Sequence, residues 1–332
     1  FIRAVIGTNN IDCCARVCHS PTALGMQRAF GTGAATNSVD DLNHTDCIIV
    51  IGANPTDAHP VTGARIKQRM MQSSVTSIIV DPRRIELARY ATYHLQLRPG
   101  TNVALLNMMM YYIITENVLD QSFIEARTEG FEDFKANILK LDMDELSDIT
   151  GVEKDLVKKA AVTYATAKAA MEFHGLGVTE HTQGTYTVQL IADLAMITGN
   201  IGKKGSGVNP LRGQNNVQGA ADMGAQPHQG AGYLDITDPE MNQRYNSFYG
   251  TDVPSHIGYK IPEMFNEAIS GNLKALWVVG EDVVQTDPNT QKVIKALSNL
   301  DMLVVSELFM TETAKLATVL LPSSSFLEKE GT

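Results

Sequence analysis

"CIIVIGANPTDAHP", residues Cys47–Pro60, holds the reading on which the fold turns. Cys47–Ile51 is apolar at every position and too short for a helix. Unbroken apolarity, without alternation, marks a strand covered on both faces. Gly52 ends the run, Asn54 and Asp57 sit in the loop that follows, and Pro60 opens a helix expected to reach about Gln72. The pattern then repeats outward. "SIIVDP" is a second buried strand closing on Asp81 and Pro82. After it come a short helix through Arg89, a strand "HLQL", the turn "RPGTN" and a helix beginning near Asn102. Strands of this kind separated by helices predict a parallel sheet with helices on both faces.

The middle of the chain is helical. Leu156, Val157, Ala160, Ala161, Tyr164 and Ala165 recur at helical spacing, as do Val188, Ile191, Leu194, Ala195 and Ile197. Between them "AAMEFHGLGVTE" reads as a strand ending in a Gly-x-Gly loop. From Gly199 to Gly232 the periodicity dissolves into a glycine- and amide-rich stretch around Arg212, expected to be a functional loop. The last third resumes the rhythm and repeats the first: "CIIVIGANPTDAHP" aligns with "ALWVVGEDVVQTDP", and "SIIVDPRRIELARYAT" with "MLVVSELFMTETAKLAT". Two copies of one strand–loop–helix–strand unit predict two similar α/β domains, divided at 1–214 and 215–332.

Ligands bind where strand carboxyl ends and helix N-termini converge. Four such loops combine glycine with a hydrogen-bonding residue: Asn54 and Asp57; Asp81 and Arg83; Gly175, Gly177 and Glu180; Gly280, Asp282 and Thr286. Free amide N–H groups there can cradle phosphate, and a carboxylate can accept from guanine or from ribose hydroxyls. Gly100, Asn102 and Ser306, near further strand ends, complete the candidate cofactor-binding set. None of the loops is a strict G-x-G-x-x-G, so an ordinary NAD fingerprint is missing.

Composition narrows the classes. The formal net charge is −10 over 332 residues, with no basic stripe, which argues against nucleic acid as a partner. No apolar run approaches the roughly 18 residues that span a bilayer, so direct membrane insertion is not expected. The four cysteines have no regular spacing and do not form a disulfide framework; a reducing, cytoplasmic location is the expectation. The chain begins at Phe1 and stops after "EKEGT", which reads as an internal piece of a larger protein. Cys13, Cys14 and Cys18 cluster beside His19 without a C-x2-C pair, an unfavourable pattern for zinc. Cys13, Cys14 and Cys47 read best as buried, inert thiols.

Cys18 with His19 is different. "RVCHSPT" followed by "GTGAATNSVDDL" resembles the metal-ligand segment of molybdenum- or tungsten-dependent formate dehydrogenases, of the dimethyl sulfoxide reductase superfamily. "NPTDAHP", "DPRRIELAR", "NPLRGQNNVQGAADMG", "GEDVVQTD" and "LPSSSFLEKEGT" resemble the same family in the same order, so the likeness covers essentially the whole chain. It implies two related Rossmann-like parallel-sheet domains of the molybdopterin oxidoreductase fold. Their cofactor would be a Mo or W bis(molybdopterin guanine dinucleotide), one nucleotide arm on each domain. By the same resemblance Cys18 falls on the metal ligand, in its sulfur version. His19 falls on the neighbouring proton acceptor, Arg212 on the residue holding the formate carboxylate, and Gln214 beside it near the pterin. Glu180 stands where some members carry Gln.

The implied enzyme interconverts formate and CO2 and passes electrons to an electron-transfer subunit or iron–sulfur protein. An N-terminal domain with a four-iron four-sulfur cluster and a C-terminal β domain belong to the family and lie outside this chain. The stretch by itself is therefore expected to lack an electron exit. The alternatives are another Mo/W bis-pterin reductase such as a nitrate reductase, a non-catalytic nucleotide-binding module, and a zinc-binding scaffold.

Overall fold

The computed structural model describes residues 1–331. By contact the chain divides into two units: Cys18–Gly213, and Phe1–Val17 together with the chain from Gln214 onward. The first seventeen residues thus group with the second unit, where their position in sequence had put them with the first. Long-range polar contacts hold them there. The Asn9 amide donates to the carbonyls of Pro254 and His256 (2.8 and 2.7 Å). The Arg3 guanidinium donates to those of Gly224, Gln226 and Gln229. Local periodicity carries no trace of such contacts.

The unit Cys18–Gly213 is built on five parallel strands, β1 (Cys47–Ile51), β2 (Thr76–Val80), β3 (Tyr93–Leu95), β4 (Ala170–His174) and β5 (Gly207–Pro210). Their spatial order is β3-β2-β1-β4-β5. β1 pairs in parallel with both β2 and β4, and all five of its residues are buried. Its side chains alternate between two cores. Ile49 and Ile51 pack with the helices Asn102–Thr115, Lys154–Ala165 and Gly184–Ile197, whereas Ile48 and Val50 pack with Ile66 and Met70 of the helix Pro60–Met70. Burial on both faces is the physical reason for the unbroken apolar run.

The second unit carries three parallel strands in the order β6-β7-β8: β6 (Ala275–Val279), β7 (Met302–Glu307) and β8 (Val319–Pro322). The internal repeat is present in atomic detail. Gly52 and Gly280 both leave their strands at positive φ (+57° and +64°). Gly52 N–H donates to Val80 O (2.9 Å) and Gly280 N–H to Ser306 O (2.8 Å). A single helical turn follows each, Pro55–Ala58 and Val283–Thr286, and then a longer helix. Even the side chain that pins the next strand recurs: Thr92 Oγ1 accepts from Ser77 N–H, and Thr318 Oγ1 from Leu303 N–H, both at 3.0 Å.

Two expectations change. The stretch Gly199–Gly232, read as one long loop, contains β5, a short helix Val217–Asp222 and a 3-10 turn Ala231–Tyr233. "GVNP" escapes a pattern search because it is short, carries Gly and Pro, and owes its strand conformation to pairing with β4. The "HLQL" strand begins one residue earlier and ends at Leu95.

The two glycines differ in what surrounds them. A Cβ on Gly52 would lie 2.6 Å from the Gly177 carbonyl carbon, whereas one on Gly280 meets nothing within 4 Å. Gly280→Ala should therefore cost only the left-handed backbone strain, about 1–2 kcal/mol. Gly52→Ala should add an overpacking term of about 1–3 kcal/mol. Urea unfolding of the two variants checks this; equal losses would mean that the Gly52–Gly177 crossing relaxes freely.

Candidate active site

Cys18 and His19 form the turn between a 3-10 helix, Cys14–Val17, and helix α1, Ser20–Phe30. Pro21 lies in the first turn of α1, where its fixed φ suits a helix start. Both side chains are buried, Cys18 5% and His19 1% exposed. The His19 ring is held at both nitrogens: Nε2 donates to Leu211 O (3.0 Å) and Nδ1 lies 2.9 Å from Thr22 Oγ1. Burial pushes its pKa down to about 3; the charges of His174, Arg212 and His59 add to the fall, against a small rise from the Leu211 carbonyl. The imidazole is neutral at physiological pH.

Leu211 and Arg212 leave the carboxyl end of β5, so the sheet brings residues 18–19 and 211–212 to one edge. Arg212 is fixed twice. Its Nη2 donates to Gly33 O (2.9 Å), and its carbonyl accepts from His59 Nε2 (2.6 Å). His59, Thr22, Glu172 and His174 were not expected at the site. The last two had a visible signal, ionisable residues at alternate positions of an otherwise apolar strand.

Of the candidate cofactor residues in this unit, Gly175, Gly177 and Asn102 come together with Gly52. The sheet order reverses at β1 and β4, and a crevice opens where neighbouring loops turn opposite ways. Gly177 N–H donates to Gly52 O (2.9 Å), and the Asn102 amide donates to Gly177 O (3.0 Å). In this cluster Thr179 Oγ1 is buried with no partner among the described residues. Asn54 and Asp57 are bonded to each other (2.6 Å). Asp81 accepts from the Arg83 backbone N–H (2.8 Å), and the two side chains form a loose ion pair at 3.8 Å. Gly100 turns at φ +85° before Asn102. Glu180 is exposed, and partial burial raises its pKa.

In the second unit Gly280, Asp282 and Thr286 follow β6. Asp282 Oδ1 accepts from the N–H and the hydroxyl of Thr313 (3.0 and 2.6 Å), and Thr286 Oγ1 donates to Asp282 O (3.2 Å). The Ser306 hydroxyl accepts from the Trp277 indole (2.9 Å). Gln214 is exposed. Two acids missed by sequence reasoning stand here. Glu281 is pushed up to about 6 by burial and by Asp287; Asp287 is pushed up to about 6 by burial, opposed by a Thr286 hydrogen bond. Asp287 is 5% exposed and its Oδ2 has no partner among the described residues.

Among the described residues no three His, Cys, Asp or Glu side chains converge as a metal-ligand set. Any metal at Cys18 would thus draw its other ligands from a cofactor. Within the unit Cys18–Gly213, the buried Cys18 thiol and the Thr179 oxygen, which has no partner among the described residues, fit a group that brings its own sulfur donors and polar arms. Cys47 is fully buried, its thiol pushed up to about 12, as an inert cysteine should be; Cys13 and Cys14 are only half-buried, a departure from expectation. No helix among the described residues is long and apolar enough to cross a membrane.

Asp287 yields a pH signature. Its folded pKa lies above the unfolded value of 3.8, so its contribution is present below about pH 4 and is lost as pH rises through about 6. Asp287→Asn should leave stability unchanged at pH 3.5 and raise it at pH 8 by about 1–3 kcal/mol. Denaturant melts at the two pH values test this, and equal effects at both would refute it.

Comparisons with known proteins bear on the family and the fold. The chain is 44% identical over its full length to Formate dehydrogenase H of Escherichia coli, covering 46% of that protein. It is 47% identical to the F420-dependent formate dehydrogenase subunit alpha of Methanocaldococcus jannaschii, covering 49%. It spans about half the length of these relatives. The solved structure of acetylene hydratase from Pelobacter acetylenicus shares the fold, with a TM-score of 0.76 at 23% identity over 98% of this chain and 47% of that one. The molybdopterin oxidoreductase family model matches residues 1–332 from end to end, and the chain belongs to that family.

Proposed function

We propose that the chain is the core of the catalytic subunit of a molybdenum- or tungsten-dependent formate dehydrogenase, interconverting formate and CO2. The observation that carries this reading is the meeting of the Cys18–His19 turn with Arg212 at one end of the first sheet. Relatives at 44% and 47% identity that bear the name formate dehydrogenase support it.

Cys18 would supply the single protein ligand to the metal, its soft thiolate suiting an ion otherwise held by dithiolene sulfur. When bound, the bis(molybdopterin guanine dinucleotide) group supplies a sink for the electron pair of the formate C–H bond. Asn54, Asp57, Asp81, Arg83, Gly100, Asn102, Gly175, Gly177 and Glu180 would receive one nucleotide arm. Gln214, Gly280, Asp282, Thr286 and Ser306 would serve the other arm and the pterin. The planar guanidinium of Arg212 orients formate by gripping its carboxylate with two parallel N–H donors. His19, neutral in its buried setting, is in the form that accepts a proton. Formate on Arg212 also cancels one of the positive charges that depress the basicity of His19.

A four-iron four-sulfur cluster in a part of the protein outside this chain, and an electron-transfer partner beyond it, would carry the electrons away. A cytoplasmic location completes the proposal.

The test is formate-dependent viologen reduction by the anaerobic, metal-loaded full-length enzyme. Cys18→Ala should abolish turnover at unchanged melting temperature; retained activity would refute the ligand assignment. Arg212→Lys should raise the formate KM by about 10- to 100-fold, the effect of losing a charge-assisted hydrogen bond. An unchanged KM would remove Arg212 from substrate binding.

A further inference from the structure

The hydrogen bonds around His19 continue beyond its ring. Thr22 Oγ1 lies 2.9 Å from His19 Nδ1 and 3.2 Å from His174 Nε2. His174 Nδ1 in turn lies 3.0 and 3.2 Å from the two Glu172 carboxyl oxygens. His19, Thr22, Glu172 and His174 are each 1% exposed or less. Glu172 and His174 occupy alternate positions of β4, otherwise composed of Ala170, Met171 and Phe173. An ionisable pair placed there is expensive to desolvate, and apolar side chains would serve the packing as well.

The direction of the bonds from Leu211 to His174 Nε2 follows from the neutral His19 ring. The Leu211 carbonyl can only accept, so His19 Nε2 carries the ring proton. Nδ1 of the neutral ring is then bare, and the Thr22 hydroxyl donates to it. Its one proton committed, Thr22 Oγ1 can only accept, so His174 Nε2 donates. The Glu172 carboxyl closes the chain at His174 Nδ1 (3.0 Å).

We propose that Thr22, His174 and Glu172 are positioning residues for His19: a hydrogen-bond chain, anchored at the Leu211 carbonyl and at Glu172, holds its ring in a single tautomer. Nδ1 thereby stays the unprotonated ring nitrogen, and the Thr22 hydroxyl bonded to it holds the ring orientation. The other charged or titratable groups facing His19 are Arg212, His59 and His174. The catalytic consequence rests on the formate dehydrogenase reading; the tautomer does not.

The experiment compares Thr22→Val, which keeps the shape and removes the hydroxyl, with Thr22→Ser, which keeps the hydroxyl, in the metal-loaded enzyme. Histidine-selective 15N spectra read the tautomer, with His19 assigned by its loss in His19→Gln. Wild type and Thr22→Ser should show one protonated and one bare nitrogen for His19. Thr22→Val leaves only the Leu211 carbonyl to hold the tautomer, so part of the His19 population should shift to the Nδ1-protonated form and kcat should fall by about 10- to 100-fold, the usual result of removing a partner that orients a site histidine. Its formate KM should stay unchanged.

An unaltered nitrogen signature in Thr22→Val overturns the proposal, as does a raised KM with kcat intact. If Thr22→Val does not fold, Glu172→Gln decides by the same spectra: a mixed tautomer sustains the chain, an unaltered one overturns it. A wild-type enzyme that is metal-loaded and inert toward formate would refute the proposed function, while the nitrogen spectra still decide the tautomer.

Discussion

Everything at the site depends on the strands being parallel. A parallel pair cannot be closed by a hairpin, so each connection crosses back over a face of the sheet and every strand delivers its carboxyl end to the same edge. Residues far apart in sequence therefore meet. The loop after β1 touches the loop after β4 through the Gly52 and Gly177 backbones, and the chain leaving β5 places Leu211 against His19. Strand order reverses at β1 and β4, the place in such sheets where ligands bind, and the glycines converge there.

The duplication shows how one unit is adapted twice. Both copies keep the positive-φ glycine, the glycine N–H bound to the neighbouring strand, and a threonine hydroxyl bridging to the next. The side chains beyond the glycine have diverged. In the first copy Asn54 pairs with Asp57; in the second Asp282 is bound by Thr313, and Glu281 and Asp287 crowd together with raised pKa values. An acid buried next to another acid, with one oxygen lacking a partner among the described residues, is an element that packing alone does not require, a mark of sites kept for binding.

Much of the fold was legible because its signals are local. "CIIVIG" and "SIIVDP" declare buried strands, Pro60 declares a helix start, and the repeat declares itself through glycine and threonine at matched places. β5 was not legible, since four residues with Gly and Pro become a strand only through β4. The attachment of residues 1–17 was equally hidden, because Arg3 and Asn9 act over more than two hundred positions. At the site, Cys18, His19 and Arg212 were proposed through resemblance. Thr22 and His59 were passed over because each looks ordinary until the sheet assembles them, and Glu172 and His174 because their signal, two ionisable residues in an apolar strand, was not weighed.

The double attachment of Arg212 bears on how a small anion is held. A free arginine side chain samples many rotamers, and immobilising it on a ligand as small as formate would consume much of the interaction energy. Here the Gly33 carbonyl holds one guanidinium nitrogen and the His59 ring holds the backbone carbonyl before any ligand arrives. The entropy of ordering the residue is spent during folding. Under the proposed function, a three-heavy-atom substrate would meet a side chain that is already still.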